Sequence, residues 1–269
     1  MKHLPSELKN LITDVEGILV GTSENPKLST GVTVLSGQKP FLAAVDVRGG
    51  GPGTRETDLL SLENSVGRVD AIVLSGGSAF GLDASSEIQK LLRQDQKGYK
   101  VGNNIIPLVP SAVIFDLKPQ NNYWTKEKSE WEILGNNAYK NLKNSCSLGS
   151  VGAGYGATTG TIMGGQGSSS WKQKYSDGND YTVGAIIINN AVGNPLHNKG
   201  PHFLSGHLEI GKEFGGLGSC NETFDGIIRA KRVHNSLGNS LTFNQQKKLT
   251  DYLSNTVIGV VATDAPLGR

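Results

Sequence analysis

Net charge, cysteine, aromatic rings and long apolar runs are all scarce in this sequence, and each scarcity removes a class of protein. Lys and Arg number 26 against 24 Asp and Glu, a formal net charge of +2, and no long basic run occurs. That balance provides no electrostatic footprint for a nucleic-acid partner. Two cysteines, Cys146 and Cys220, cannot build a disulfide framework, and neither belongs to a Cys-x-x-Cys pair. Both read as buried small apolar residues. No stretch reaches the roughly 20 apolar residues that span a bilayer. Met1 to Glu16 breaks its apolar residues with Lys2, Glu7 and Lys9, which is no leader-peptide core. The expectation is a soluble, cytoplasmic protein without a membrane partner. His197, His202 and His207 are spaced for neither one helix face nor one strand face, and no His-Glu-x-x-His set accompanies them. They read as solvated loop residues, and no metal is expected. A Gly-x-Ser-x-Gly elbow is also missing, so a serine triad of the α/β-hydrolase kind is unsupported.

What the sequence has in quantity is glycine, 36 of 269 residues. The glycines cluster between apolar runs, the pattern of tight turns in a packed α/β protein. Four runs read as buried strands: Phe41–Val47, Val69–Leu74, Val183–Ile188 and Val257–Ala262. After Gly76-Gly77, Ser78 is placed to cap a helix on which Phe80, Ala84, Ile88, Leu91 and Leu92 recur at helical spacing. Two weaker helices are expected over Glu132–Leu142 and Gln245–Leu253. Lys118–Ser129 reads as a polar surface excursion. No repeat or linker divides the chain, so residues 1–269 are expected to form one domain.

Two glycine-rich segments invite functional readings. Arg48-Gly49-Gly50-Gly51-Pro52-Gly53-Thr54-Arg55-Glu56-Thr57-Asp58 could present backbone N–H groups to an anion, but no Gly-Lys-Ser/Thr closes it as a P-loop. The structural reading is a turn with a network among Arg48, Arg55, Glu56 and Asp58. Gly152-Ala153-Gly154-Tyr155-Gly156-Ala157 fits Gly-x-Gly-x-x-Ala, yet no strand precedes it and no amphipathic helix follows, so a dinucleotide site is rejected. Its glycines are better explained by close approach of backbone to a strand or a substrate.

Asn255-Thr256 has two readings, an ordinary start of a strand or, from its context, a nucleophile. A helix is expected to end there and a core strand to begin, which would hold the Thr256 hydroxyl rigidly. Cutting the bond before Thr256 leaves a hydroxyl and a free α-amine on one residue. An α-amine has a reference pKa of roughly 7.7–8.0, so it can act as the general base near neutral pH. The cut can be intramolecular: the hydroxyl attacks the Asn255 carbonyl, an N–O acyl shift forms an ester, and water hydrolyses it.

Further segments support this reading. They are Val47 to Leu60; Leu74-Ser75-Gly76-Gly77-Ser78-Ala79-Phe80-Gly81-Leu82-Asp83-Ala84; Val151-Gly152-Ala153-Gly154 with Gly164-Gly165-Gln166-Gly167-Ser168; Val183-Gly184-Ala185 leading to Asn190-Ala191-Val192-Gly193; and Asn255-Thr256 with Val260 to Leu267. In order, over most of the chain, they resemble the family of L-aminopeptidase/D-esterases, which includes β-peptidyl aminopeptidases and nylon-oligomer hydrolases. The resemblance implies an α/β (α+β) fold, an N-terminal-nucleophile-like four-layer αββα sandwich assembled into homo-oligomers. It implies self-cleavage at Asn255–Thr256 into an α subunit, 1–255, and a β subunit, 256–269, shorter here than in relatives. It makes Thr256 the nucleophile, Asn190 a donor to the oxyanion, and Tyr155 with Gly154 a weaker substrate-binding pair. The implied partner is a small peptide or amide with a free amino end, and no cofactor is implied. Nylon-hydrolysing relatives carry a lysine before the Gly-Gly of the third motif, where this chain has Thr161 and Met163. Relatives also continue well beyond the Arg269 at which this sequence ends. The other readings are acyl transfer of the ornithine acetyltransferase type and an inactive structural or binding homologue.

Overall fold

The computed structural model describes residues 8–118, 121–123, 127–160, 162–197, 200–221 and 256–267. Among these residues the strands, in chain order, are β1 (Ile18–Asn25), β2 (Thr30–Leu42), β3 (Thr54–Arg55), β4 (Arg68–Ser75), β5 (Tyr99–Val101), β6 (Asn104–Ile106), β7 (Ser111–Val113), β8 (Thr158–Thr159), β9 (Ile162–Met163), β10 (Gly165–Lys174), β11 (Asp180–Asn190) and β12 (Thr256–Thr263). Helices α1 (Asp83–Gln94) and α2 (Glu130–Lys140) lie between β4 and β8 in sequence. The large sheet has the order β1-β2-β4-β7-β3, and a second sheet the order β10-β11-β12. All pairings are antiparallel except β4 with β7.

Two cores hold three layers together. On one face of the large sheet, Val32, Val34, Ala71 and Val73 pack against Ala84, Ile88 and Leu92 of α1 and against Trp131, Leu134 and Ala138 of α2. On the opposite face, Val20, Leu35, Leu74 and Ile114 meet Ile186 and Ile188 of β11, with Ile258, Val260 and Ala262 of β12 at the margin. Fully burying such a side chain contributes about 1.5–3 kcal/mol, so these two seams set the layer order α–β–β. Among the described residues, no helix covers the outer face of the second sheet, where Val183, Ile187, Val257 and Val261 are exposed.

The runs Val69–Leu74, Val183–Ile188 and Val257–Ala262 are strands, but only β4 is buried on both faces. β11 and β12 alternate, with every second residue turned to the outer face. The run Phe41–Val47 departs from expectation. β2 runs earlier, from Thr30, and its ladder with β4 ends at Leu42 opposite Arg68. With no partner strand beyond that point among the described residues, residues 43–48 leave the sheet, and Leu42, Val45 and Val47 are exposed.

The turn after β4 also differs from a simple capped helix. Ser78–Leu82 is a 3-10 turn, and Ser78 makes no capping bond. Gly77 enters the turn at φ +88, and a Cβ there would lie 2.1 Å from the Trp131 ring. Phe80 is exposed and stacks on Trp131 at 5.7 Å. Helix α2 begins at a Ser129–Glu132 capping box, close to the expected Glu132 start. The helix expected over Gln245–Leu253 lies outside the described residues.

Candidate active site

The end of β11 and the start of β12 bring two of the expected residues together. Asn190 and Thr256 are register partners in the antiparallel ladder. Cross-strand partners project to the same face with Cβ atoms about 4.5–5.5 Å apart. Both belong to the alternating set that includes Ile186, Ile188, Ile258 and Val260, so both project toward the seam between the sheets. Asn255 lies outside the described residues, so the bond before Thr256 is not described.

Asn190 is buried, and its amide is tied at both ends. Its Oδ1 accepts the Thr158 N–H at 3.0 Å, and its Nδ2 donates to the Phe115 carbonyl at 3.0 Å. The two bonds fix which end of the amide carries the hydrogens. An amide nitrogen has two, and Phe115 takes one of them.

Thr158 follows the glycine segment. Gly152–Gly154 forms a 3-10 turn after an extended Val151, with Glu24 accepting the Gly152 N–H at 2.5 Å. The turn is pinned from below by buried Gln166, which takes the Thr33 hydroxyl at 2.7 Å, while Thr33 takes the Ala153 N–H at 3.0 Å. The glycines thus serve close backbone approach. Gly154 is buried with a virtual Cβ only 2.4 Å from the Gln166 nitrogen, so it packs on β10 rather than opening to a ligand. Tyr155, half-buried, is the member of this pair with accessible surface.

Sequence reasoning missed two neighbours, Phe115 and Asp116. They end an apolar run that starts at Val109, and a carboxylate closing such a run was the available signal. Asp116 is 7% exposed and accepts the Gly77 N–H through Oδ1 at 2.7 Å. Burial pushes its carboxyl up to about 6; the Gly77 N–H, the Thr30 side chain and the Lys118 charge act in the opposite direction.

Other expected groupings do not form. Arg48 pairs with Asp46 on the surface, while Arg55 donates to Ser86, to Gln89 at 2.8 Å and to the Leu82 carbonyl. The network of Arg48, Arg55, Glu56 and Asp58 is therefore replaced by a neutral cradle on α1. His197 is buried rather than solvated; its backbone N–H donates to the His202 carbonyl at 2.7 Å, beside the Leu196–Phe203 bridge. Among the described residues, Cys146 and Cys220 form no disulfide, and both are only partly buried. Among the described residues, no three His, Cys, Asp or Glu side chains gather as a ligand set, and no helix is long and apolar enough to cross a membrane. A cleft of about 1250 Å³ runs along β12 between residues 38–54 and Thr256–Leu267. Thr256 lines one end, whereas Asn190 and Tyr155 do not line it.

Two stacked sheets, with the candidate nucleophile opening a strand of the inner seam, form a fold shared with two solved enzymes. One is a β-aminopeptidase of a Burkholderia species, at 19% identity and TM-score 0.62, covering 99% of this chain and 65% of that one. The other is the L-aminopeptidase D-Ala-esterase/amidase of Ochrobactrum anthropi, described as a variant of the Ntn hydrolase fold, at 21% identity and TM-score 0.54, covering 70% and 56%. The protein thus has the α/β fold of these two structures. A model of peptidase family S58 matches residues 10–269, and the chain belongs to that family. An uncharacterized aminopeptidase of Mycobacterium leprae (strain TN) is 34% identical over 271 residues, covering 96% of this chain and 68% of that protein. The chain therefore spans roughly half to two thirds of these relatives' lengths.

Proposed function

We propose that this chain is a self-processing aminopeptidase or amidase that hydrolyses small peptides or amides with a free amino end through an acyl-enzyme on Thr256. The observation that carries the reading is the register pairing of Thr256 with Asn190, whose amide is already oriented by Thr158 and Phe115. Membership of a peptidase family supports the reaction class.

Processing begins when the Thr256 hydroxyl attacks the Asn255 carbonyl. The peptide C–N bond breaks, the nitrogen takes the proton, and an ester joins Asn255 to the Thr256 oxygen. Water hydrolyses that ester, leaving an Asn255 carboxylate and a free Thr256 amine. In turnover the amine takes the hydroxyl proton as the oxygen adds to the substrate carbonyl. The second Asn190 amide hydrogen stabilises the oxyanion, and the proton passes to the departing amine. Water then releases the acyl group by the same steps. Tyr155 borders the substrate, and the assembly is a homo-oligomer.

A denaturing intact mass of the purified protein tests the reading. The expected result is a species ending at Asn255 and another beginning at Thr256, both replaced by one uncut species in Thr256→Ala, with hydrolysis lost. A single uncut mass for the unaltered protein, with no amide hydrolysis, would sink the proposal and favour an inactive binding homologue.

A further inference from the structure

Asp116 takes no part in the acyl transfer described above, yet segments from across the chain close on its carboxylate. The Gly77 N–H donates to Oδ1. On the Oδ2 side the packing is set by missing side chains: a Cβ on Gly76 would lie 2.1 Å from Oδ2, and one on Gly156 would lie 2.6 Å from it. The Thr30 hydroxyl shares this space, 2.3 Å from the same virtual Gly76 Cβ. Thus β2, the turn after β4 and the turn carrying Tyr155 all meet at one buried oxygen.

The carboxylate is also one peptide away from the group that holds Asn190. A peptide unit is planar, so the Phe115 carbonyl and the Asp116 Cα lie in a single rigid plane. The two peptides just before that plane are bonded to the end of β4 and the turn after it: Ile114 N–H donates to the Ser75 carbonyl at 2.8 Å, and Ser78 N–H to the Ile114 carbonyl at 2.9 Å. Anchoring the Asp116 side chain on Gly77 therefore fixes the direction of the Phe115 carbonyl, which accepts from Asn190 Nδ2.

We infer that Asp116 is the positioning residue of the Asn190 donor: its ionised carboxylate, clamped between the Gly76-Gly77 turn and Gly156, orients the Phe115 carbonyl and through it the Asn190 amide. The charged form matters because an ionised acceptor holds a backbone N–H about twice as strongly as a neutral one. The groups facing it are the Thr30 hydroxyl at the start of β2, the Gly77 N–H, the Gly156 Cα and the charge of Lys118. Burial places its titration near pH 6, so the donor tightens as pH rises through that value. The catalytic consequence rests on the Thr256 reading; the coupling of Asp116 to Asn190 does not.

The test is nitrogen-15 NMR of side-chain amides in the full chain, with the Asn190 signals assigned by their loss in Asn190→Asp. In the unaltered protein these signals shift with a midpoint near pH 6, and in Asp116→Asn they stay flat. Signals that do not move between pH 5 and 8 in the unaltered protein, or that move equally in Asp116→Asn, overturn the inference. Should Asp116→Asn fail to fold, carbon-13 NMR of side-chain carboxyls in the unaltered protein decides: a carboxyl signal that titrates with the midpoint of the Asn190 amide supports the inference, and none that does so overturns it. On an aminoacyl p-nitroanilide, kcat shows an acidic limb with the same midpoint, about tenfold below the plateau one pH unit under it, while KM stays flat. Asp116→Asn loses that limb. Absence of turnover at every pH sinks the Thr256 reading and leaves the amide titration to judge Asp116.

Discussion

Asn190 shows how much one side chain can be asked to do. It is a strand residue and the cross-strand partner of Thr256, and it ties the 152–158 segment to the 115–116 peptide. Asn190→Ala therefore has two separable costs. In the proposed mechanism, losing the oxyanion donor lowers kcat by about 10²–10³-fold. Losing its part-buried bonds to the Thr158 N–H and the Phe115 carbonyl costs about 0.5–1.5 kcal/mol for each. A kcat measurement on an amide substrate reads the first, and a urea midpoint reads the second. Asn190→Asp keeps the shape but sets a carboxylate oxygen against the Phe115 carbonyl, so it is expected to lose activity without regaining stability. The residue itself is legible in the sequence, because it follows an apolar strand within a motif. Phe115 and Asp116 are not, because their link to Asn190 spans 75 positions and runs through a carbonyl, which every residue possesses.

At the scale of elements, the legible strands are those whose side chains are apolar. β4, β11 and β12 follow directly from their Val, Ile and Ala runs. β10 is hidden in Gly165–Lys174, since its inward residues are Gln166, Ser168 and Ser170. These satisfy themselves with Thr33 and the Ser147 carbonyl, with the Ala185 carbonyl, and with Asp14, respectively. A polar strand buried by hydrogen bonding carries no apolar periodicity to read. β1 and the first half of β2 escape for a related reason, being rich in Thr, Ser and Gly. The turn after β4 was visible as Gly-Gly, but its mechanism was not: Gly77 is demanded by a left-handed φ and by Trp131 behind it. Gly77→Ala is expected to cost about 1–2 kcal/mol for the left-handed backbone and about 1–3 kcal/mol more for overpacking against the ring. Chemical denaturation would show it as a lower midpoint with an unchanged slope. A midpoint within about 0.5 kcal/mol of the unaltered protein would contradict the packing argument.

The whole molecule carries carboxylates shifted in opposite directions, and their balance predicts its stability against pH. Burial alone would push Asp14 and Glu87 up. It is outweighed at Asp14 by the Leu11 N–H, the Ser170 hydroxyl and Lys9, and at Glu87 by Lys128, Asn136 and Lys90. Both are net lowered, so their stabilising contribution is present above the ordinary carboxylate range and disappears as pH falls through and below it. Burial raises Asp70 and, more strongly, Asp116, from 3.8 to about 6. A raised acid works the other way: its contribution is complete below pH 3.8 and is lost as pH rises toward 6. For Asp116 the loss is on the order of 3 kcal/mol, from 1.36 kcal/mol per pKa unit. Stability is therefore expected to peak between about pH 4 and 5 and to decline toward pH 6. Asp116→Asn removes most of that decline. Urea midpoints taken across pH 4–7 on both proteins check this, and parallel curves would refute the assignment to Asp116. If the proposed coupling of ionised Asp116 to Asn190 holds, the site is best ordered above the pH at which the fold is most stable. The pH that arms the donor thus leaves a charge buried in the seam, the kind of local cost that functional sites carry and that the two apolar cores are large enough to absorb.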